Sequence, residues 1–345
     1  MRVFAAPRAD RSLVEVLPPD GFVPEGITSL GGPHFLVGSL LGGRLWAGNF
    51  ASGTGVEVFN APGQAIVGVV ADPAGGGVAW AAGGESANIL AFGDGGGTLL
   101  ANLSVPAGPS DGPGPFVNDG DVVRDGAMQF AAFNDSFSPA IYTVPLSAAC
   151  GDGRATVKRV PLTGDFMQGE SFNANGMCYS YAAHTLVMVQ SNTGKLFTVA
   201  KDGLTKEIDV GGSLVGGDGI LFDAVDPAVL YVVQNTEGRV AVVRFAEPAT
   251  LGGGRVVATL TRDEWTTPTT ASQFAGALYV VDSRFDVASP GGWARARRGV
   301  FRVPCGAVGG QGAARGAEAV PPDGDGDALK VVLMASRGRW RRWRE

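Results

Sequence analysis

Short apolar runs recur six times along this chain, each time in the same internal order. A unit has a polar start, an apolar strand, a turn rich in Gly, Asp or Asn, a second strand, another turn and a third strand. The units span residues 25–59, 68–92, 118–145, 175–210, 218–245 and 269–303. A spacing of roughly 40–60 residues is the period of propeller blades rather than of helical solenoids.

The fourth and fifth units are the most alike. Residues 187–194 read Val-Met-Val-Gln-Ser-Asn-Thr-Gly, and they align without a gap with residues 231–238, which read Tyr-Val-Val-Gln-Asn-Thr-Glu-Gly. Two packed β-sandwiches are the alternative fold, but sandwiches do not repeat at this period. We therefore predict an all-β chain that forms a six-bladed β-propeller over residues 20–304.

Composition agrees with many short strands joined by tight turns. The 345 residues include 54 Gly and 21 Pro, and 45% of the chain is hydrophobic, which is enough to bury a full core. The composition changes after about Pro304, where Gly, Ala, Pro and Asp dominate residues 306–327. Residues 305–345 are therefore predicted to form a disordered C-terminal tail.

Charge and residue counts exclude several classes of function. A net charge of −6 gives no nucleic-acid footprint, and no run of about 18 apolar residues predicts a membrane helix. Three Cys and two His residues provide neither a disulfide framework nor a zinc signature. The N-terminus has no long apolar segment of the secretory kind, so a cytoplasmic location is expected if that end is complete.

Four polar residues begin four different repeats, each just before an apolar strand: Glu25, Asn118, Asn175 and Asp218. The innermost strands of a propeller line a central channel, so residues at their starts cluster at one mouth. This set offers only oxygen ligands, two carboxylates and two amides, which suits Ca²⁺ or another divalent cation. The sequence thus predicts a central metal-binding channel, with these four residues as ligands.

The alternative interpretation of these positions is structural. Asn-Gly and Asp-Gly are common turn dipeptides, so Asn175-Gly176 or Asp218-Gly219 taken singly is more often a turn than a ligand. The metal interpretation is favoured because all four residues occupy equivalent positions in the repeat.

The same segments resemble a known family. Pro24-Glu25-Gly26, Val117-Asn118-Asp119, Asn175-Gly176 and Gly217-Asp218-Gly219 are similar to blade-start motifs of the senescence marker protein (regucalcin), gluconolactonase and luciferin-regenerating-enzyme family. The resemblance covers about residues 20–304. It implies that Glu25, Asn175 and Asp218 hold a catalytic calcium, that Asn118 contacts the metal or the substrate, and that Asp218 is the acid/base group.

The chain also departs from that family. The gluconolactonase branch has an Arg where this chain has Phe116, and the His pair of the related paraoxonases has no counterpart in His34 and His184. Residues 167–172 are predicted to form a loop over the pocket mouth, with Glu170 and Asn173 as substrate-binding candidates.

The resulting functional prediction is a calcium-dependent hydrolase of lactones or esters that acts on a small-molecule substrate, with Asp218 and Asn118 as the catalytic residues. A propeller that binds a small molecule or a metal without turnover is one alternative. A protein-interaction propeller is another, and the low aromatic content, 8%, argues against it.

Overall fold

A computed structural model describes residues 21–72, 77–108, 114–150, 156–285 and 299–304. These residues form twenty-four β-strands and two short 3₁₀ turns, Asp94–Gly96 and Leu146–Cys150. The predicted tail, residues 305–345, lies outside the described residues. No helix in the described ranges reaches the length and apolarity that crossing a bilayer requires.

The strands form six antiparallel sheets in chain order. Blade 1 consists of β1 (Pro24–Gly31), β2 (His34–Ser39), β3 (Arg44–Asn49) and β4 (Thr54–Asn60). Blade 2 consists of β5 (Val69–Ala71), β6 (Ala79–Ala82), β7 (Asn88–Gly93) and β8 (Thr98–Ser104). Blade 3 consists of β9 (Val117–Asp125), β10 (Met128–Asp135), β11 (Ala140–Pro145) and β12 (Lys158–Pro161).

Blades 4, 5 and 6 follow the same plan. Blade 4 consists of β14 (Ala174–Ser180), β15 (Thr185–Gln190), β16 (Lys195–Val199) and β17 (Leu204–Ile208). Blade 5 consists of β18 (Gly217–Phe222), β19 (Val229–Gln234), β20 (Arg239–Phe245) and β21 (Gly254–Thr261). Blade 6 consists of β22 (Pro268–Phe274), β23 (Ala277–Asp282) and β24 (Gly299–Pro304). The two-residue strand β13 (Thr163–Gly164) pairs in parallel with β17 at the outer edge of blade 4.

The first strand of each blade faces the axis, and these strands contact one another in a closed circle, β1–β5–β9–β14–β18–β22–β1. Hydrogen bonds close the circle between blades 6 and 1, where the Thr269 hydroxyl donates to the Glu25 carbonyl oxygen at 2.8 Å and the Ser283 hydroxyl donates to the Pro24 carbonyl oxygen. The predicted six-bladed propeller is confirmed.

Six hydrophobic clusters occupy the six interfaces between neighbouring blades. Strand β19 shows why the middle strands read as unbroken apolar runs. Leu230 and Val232 pack toward blade 4, whereas Val229, Tyr231 and Val233 pack toward blade 6. Because successive side chains in a strand point to opposite faces and both faces are buried, no polar alternation remains.

Candidate functional site

A β-bulge near the start of the innermost strand recurs in five blades. In blade 4, Ala174 pairs with Gln190 and Met177 pairs with Met188, so three steps along β14 match two along β15. Blades 1, 3, 5 and 6 show the same irregularity. A bulge bends the strand and redirects side chains, which is why bulges are frequent next to functional sites.

The two residues inside each bulge are Glu25-Gly26, Asn118-Asp119, Asn175-Gly176, Asp218-Gly219 and Thr269-Thr270. The four predicted ligands therefore occupy the first bulge position of their blades. The turn interpretation of Asn175-Gly176 and Asp218-Gly219 is wrong, because both dipeptides lie inside strands. Gly176 and Gly219 instead make room for the neighbouring inner strand, because an ideal Cβ would overlap the Asp218 backbone oxygen at Gly176 and the Thr270 side chain at Gly219.

A buried polar residue at or beyond the end of the second strand anchors the chain segment that leads to each bulge. Ser39 Oγ accepts a hydrogen bond from the Val23 backbone N–H at 3.0 Å, and Asp135 Oδ1 accepts one from the Phe116 N–H at 3.1 Å. In blade 5, Gln234 Nε2 donates to the Val215 carbonyl oxygen at 2.9 Å. These contacts hold the start of the inner strand, and with it the functional side chain, at a fixed depth in the channel.

Three of the four predicted ligands form one hydrogen-bonded chain across blades 3, 4 and 5. Asn118 Nδ2 donates to Asn175 Oδ1 at 3.0 Å, and the Asn175 amide also bonds the Asp218 carboxylate. Asp218 Oδ2 accepts a further bond from Asn235 Nδ2 at 3.0 Å. The structure thus brings Asn118, Asn175 and Asp218 together, as the repeat positions predicted.

Glu25 completes this axial ring from blade 1. Burial raises the pKa of the Glu25 carboxyl well above its ordinary value, and the charges of Asp218 and Asp119 raise it further. Burial and the charge of Asp119 likewise raise the pKa of Asp218, although its hydrogen bonds oppose the shift. Glu25, Asp119 and Asp218 are therefore near enough for their charges to interact. We call Glu25, Asn118, Asn175 and Asp218 the axial ring.

Two oxygens of the axial ring lack partners. Within the described part of the chain, Glu25 Oε2 and Asn118 Oδ1 are buried and accept no hydrogen bond. Leaving such atoms unsatisfied costs about 1–3 kcal/mol each, so a cation or a water molecule bound at these two oxygens would offset that cost. One carboxylate oxygen and one amide oxygen, both unused, are donors of the kind that a hard divalent cation takes.

The described residues contain no group of three or more His, Cys, Asp or Glu side chains arranged to hold a metal ion by themselves. A cation in the axial ring therefore needs the amide oxygens as well as the two carboxylates. The donor set fits calcium and does not fit zinc or copper, which prefer nitrogen and sulfur. Its role as a metal site stays a prediction.

Asp119 is a third carboxylate at the axis that the sequence interpretation overlooked. The second bulge position is Gly in blades 1, 4 and 5, but it is Asp119 in blade 3. Its Oδ1 lies against Gly68 of blade 2 at a point that a Cβ there would occupy. Burial raises the pKa of Asp119 to about 7. The sequence signal that could have identified Asp119 as a site residue is that it replaces the Gly found at this repeat position in blades 1, 4 and 5.

Below the ring, the inner strands enclose a cavity of about 160 Å³. Its polar lining includes Thr28, Asp119, Asp121, Cys178 and Ser272, and none of its lining residues is Lys or Arg. The lining of this cavity is therefore acidic, which favours cations and neutral molecules over anions.

The other two predicted pocket residues lie in the loop before β14. Asn173 is fully buried, and its Oδ1 accepts bonds from the Gly169 N–H at 2.7 Å and from Gln190 Nε2 at 3.0 Å. Its Nδ2 donates to two carbonyl oxygens of the same loop, at Gly169 and Ser171. Glu170 is exposed. Asn173 thus shapes the loop, and substrate binding by either residue stays a prediction.

The two histidines lie away from the axial ring. His34 begins β2, and His184 lies in the turn between β14 and β15, where its Nδ1 is 2.5 Å from Asp125 Oδ2. Because these turns lie at the end of the inner strand opposite its bulge, neither histidine serves the ring.

Known structures share this architecture at low sequence identity. A major allergen of Malassezia sympodialis matches 84% of this chain and 95% of its own length, with a TM-score of 0.62 and 17% identity. A virginiamycin B lyase from Staphylococcus aureus matches 84% and 86%, with a TM-score of 0.53 and 13% identity. A gluconolactonase from Xanthomonas campestris matches 84% and 87%, with a TM-score of 0.53 and 16% identity.

No protein-family profile matches the chain, and no curated protein sequence matches it. At such identities the structural likeness establishes the fold and not the chemistry. The chain is a six-bladed β-propeller that shares its fold with a gluconolactonase and a lyase, and its place in the senescence marker protein family stays a proposal.

Proposed function

We propose that this propeller is a hydrolase of neutral lactones or esters that depends on a divalent cation, with calcium as the preferred ion. The observation that carries the proposal is the pair of buried, partnerless oxygens, Glu25 Oε2 and Asn118 Oδ1, beside a second carboxylate. The likeness to a gluconolactonase adds support at the level of the fold alone.

Glu25, Asn118, Asn175 and Asp218 would hold the cation. When bound, the cation would supply positive charge that polarises a carbonyl and stabilises the developing oxyanion. Asn118 Nδ2 donates to Ser136 and Asn175, each at 3.0 Å, and its buried Oδ1 accepts no hydrogen bond from the described residues. This oxygen would bind the cation or accept a hydrogen bond from the attacking water.

Asp218 would accept the proton from the attacking water. Its carboxylate is desolvated, which raises its basicity relative to an exposed Asp. Every residue of the axial ring is less than a tenth exposed, so a substrate that reaches it leaves bulk water behind.

A second candidate function is binding without turnover, and one observation favours it. The Asp218 carboxylate already takes bonds from Asn235, Asn175 and the Gly219 backbone N–H. These hydrogen bonds oppose the rise in the pKa of Asp218 that burial produces, and a bound cation would lower its basicity further. A site that binds a cation and a neutral ligand but lacks an effective base would serve as a receptor.

Hydrolysis assays on metal-stripped protein separate these possibilities. The protein is treated with a chelator, dialysed, and assayed on a panel of lactones and aryl esters with no metal, Ca²⁺, Mg²⁺ or Mn²⁺. We expect calcium to raise turnover by about 100-fold or more over the stripped protein. Turnover that chelation leaves unchanged contradicts the cation dependence. Calcium binding without turnover of any substrate would move the protein to the receptor class.

A further inference from the structure

Three phenylalanines meet at the end of the propeller where the inner strands of blades 3 and 4 begin. Phe116 precedes β9, Phe137 follows β10, and Phe172 precedes β14. Their ring centroids are 5.5 Å apart for Phe116–Phe137, 5.2 Å for Phe116–Phe172 and 4.9 Å for Phe137–Phe172. We call these three residues the aromatic cluster.

Short covalent and hydrogen-bonded links tie the aromatic cluster to the axial ring. Phe116 lies two residues before Asn118 on the same chain segment. Ser136, the neighbour of Phe137, accepts the Asn118 Nδ2 bond at 3.0 Å and donates to the Ala174 carbonyl oxygen at 2.6 Å. The aromatic cluster is therefore joined to the Asn118 side chain of the axial ring through Ser136, the residue next to Phe137.

The members of the aromatic cluster differ in exposure. All three pack on the core between blades 2 and 3, but Phe116 is 8% exposed, whereas Phe137 and Phe172 are only half-buried. The loop before Phe172 also lies against the aromatic cluster, since Gln168 Nε2 donates to the Ser136 carbonyl oxygen at 3.3 Å. Apolar walls next to a few convergent polar atoms are the usual anatomy of a small-molecule pocket.

We propose that the aromatic cluster binds an apolar substituent, aryl or alkyl, of the neutral molecule whose polar group lies at the axial ring. This inference rests on the proposed function and names its substrate class. A polyhydroxylated substrate fits poorly here, because three phenylalanine rings offer its hydroxyl groups no hydrogen-bond partners. An anionic substrate fits poorly as well, because the lining of the cavity below the ring is acidic.

The test compares γ-phenyl-γ-butyrolactone with unsubstituted γ-butyrolactone in the calcium-loaded protein. Burying the phenyl group against the rings should make kcat/KM about tenfold higher for the aryl lactone. Phe172→Ala should reduce this preference about tenfold, mainly through KM, and Phe172→Leu should reduce it less because it retains apolar volume. Phe59→Ala is the matched control, since Phe59 is a half-buried phenylalanine on the outer strand β4.

Equal kcat/KM values for the two lactones, or an aryl preference that survives Phe172→Ala, would overturn the inference and leave the proposed hydrolase intact. If the protein hydrolyses neither lactone, calorimetry measures binding of the aryl lactam analogue, which resists hydrolysis. Lactam binding that weakens about tenfold in Phe172→Ala supports the aromatic cluster even without turnover. Absence of lactam binding to the wild-type protein would overturn it.

Discussion

Asp218→Asn is expected to weaken calcium binding by about 100-fold or more, or about 2.7 kcal/mol, and to abolish hydrolysis. The substitution is nearly isosteric, but it removes one of the two ring charges that attract the cation, and it removes the proposed base. It also sets an amide nitrogen among groups that donate to Asp218, namely Asn235, Asn175 and the Gly219 N–H. The propeller should still fold, because its stability comes from six apolar interfaces.

Calcium titration by calorimetry and lactone hydrolysis are measured in parallel on both proteins. Asp119→Asn is the matched control. It removes the same charge from the axis, at the second bulge position of blade 3, without removing a predicted ligand. Its calcium affinity should fall by only a few-fold, through long-range attraction. Equal calcium affinity in the wild-type and Asp218→Asn proteins would exclude Asp218 as a ligand.

Gly176→Ala is expected to destabilise the propeller by about 3 kcal/mol or more. Gly176 is the second bulge residue of β14, which contacts the inner strand β18 of blade 5. An ideal Cβ there would overlap the Asp218 backbone oxygen and lie 2.8 Å from the Ile220 nitrogen. Both are backbone atoms of the neighbouring inner strand, so a side-chain rotation cannot relieve the clash.

Denaturant unfolding followed by circular dichroism measures this cost. Gly114→Ala is the control, since a Cβ at Gly114 meets nothing within 4 Å and its backbone is not left-handed. Its free energy of unfolding should stay within about 0.5 kcal/mol of the wild type. A Gly176→Ala protein as stable as the control would show that the inner strands can separate without cost, which contradicts a tightly packed axis.

The blade count followed from the sequence because each blade repeats one pattern at one period. The middle strands β15 and β19 share Leu, Val and Gln at matching positions, and their apolar runs reflect burial on both faces. The ring positions followed as well, since Glu25, Asn118, Asn175 and Asp218 begin the first, third, fourth and fifth units. What periodicity could not supply was the bulge, because one extra residue changes the register without changing composition.

Without the bulge, the sequence does not show that two residues of a blade reach the axis. It therefore did not predict Asp119, the second bulge residue of blade 3, or Thr269, the first bulge residue of blade 6, which bonds the backbone of Glu25 in blade 1. The aromatic cluster was equally hidden. Phe116, Phe137 and Phe172 are separated by 21 and 35 residues in the chain, and only the folded blades bring their rings together.

The central claim is that the axial ring holds a divalent cation, and anomalous diffraction from crystals soaked in Mn²⁺ tests it most directly. Manganese takes the same oxygen ligands as calcium, and its anomalous signal locates it independently of any assumption about the site. We predict one strong peak within about 2.6 Å of Glu25, Asn118, Asn175 and Asp218 oxygens, lost on competition with excess calcium. A ring without anomalous density at saturating manganese, or a peak only at another place in the propeller, would contradict the account.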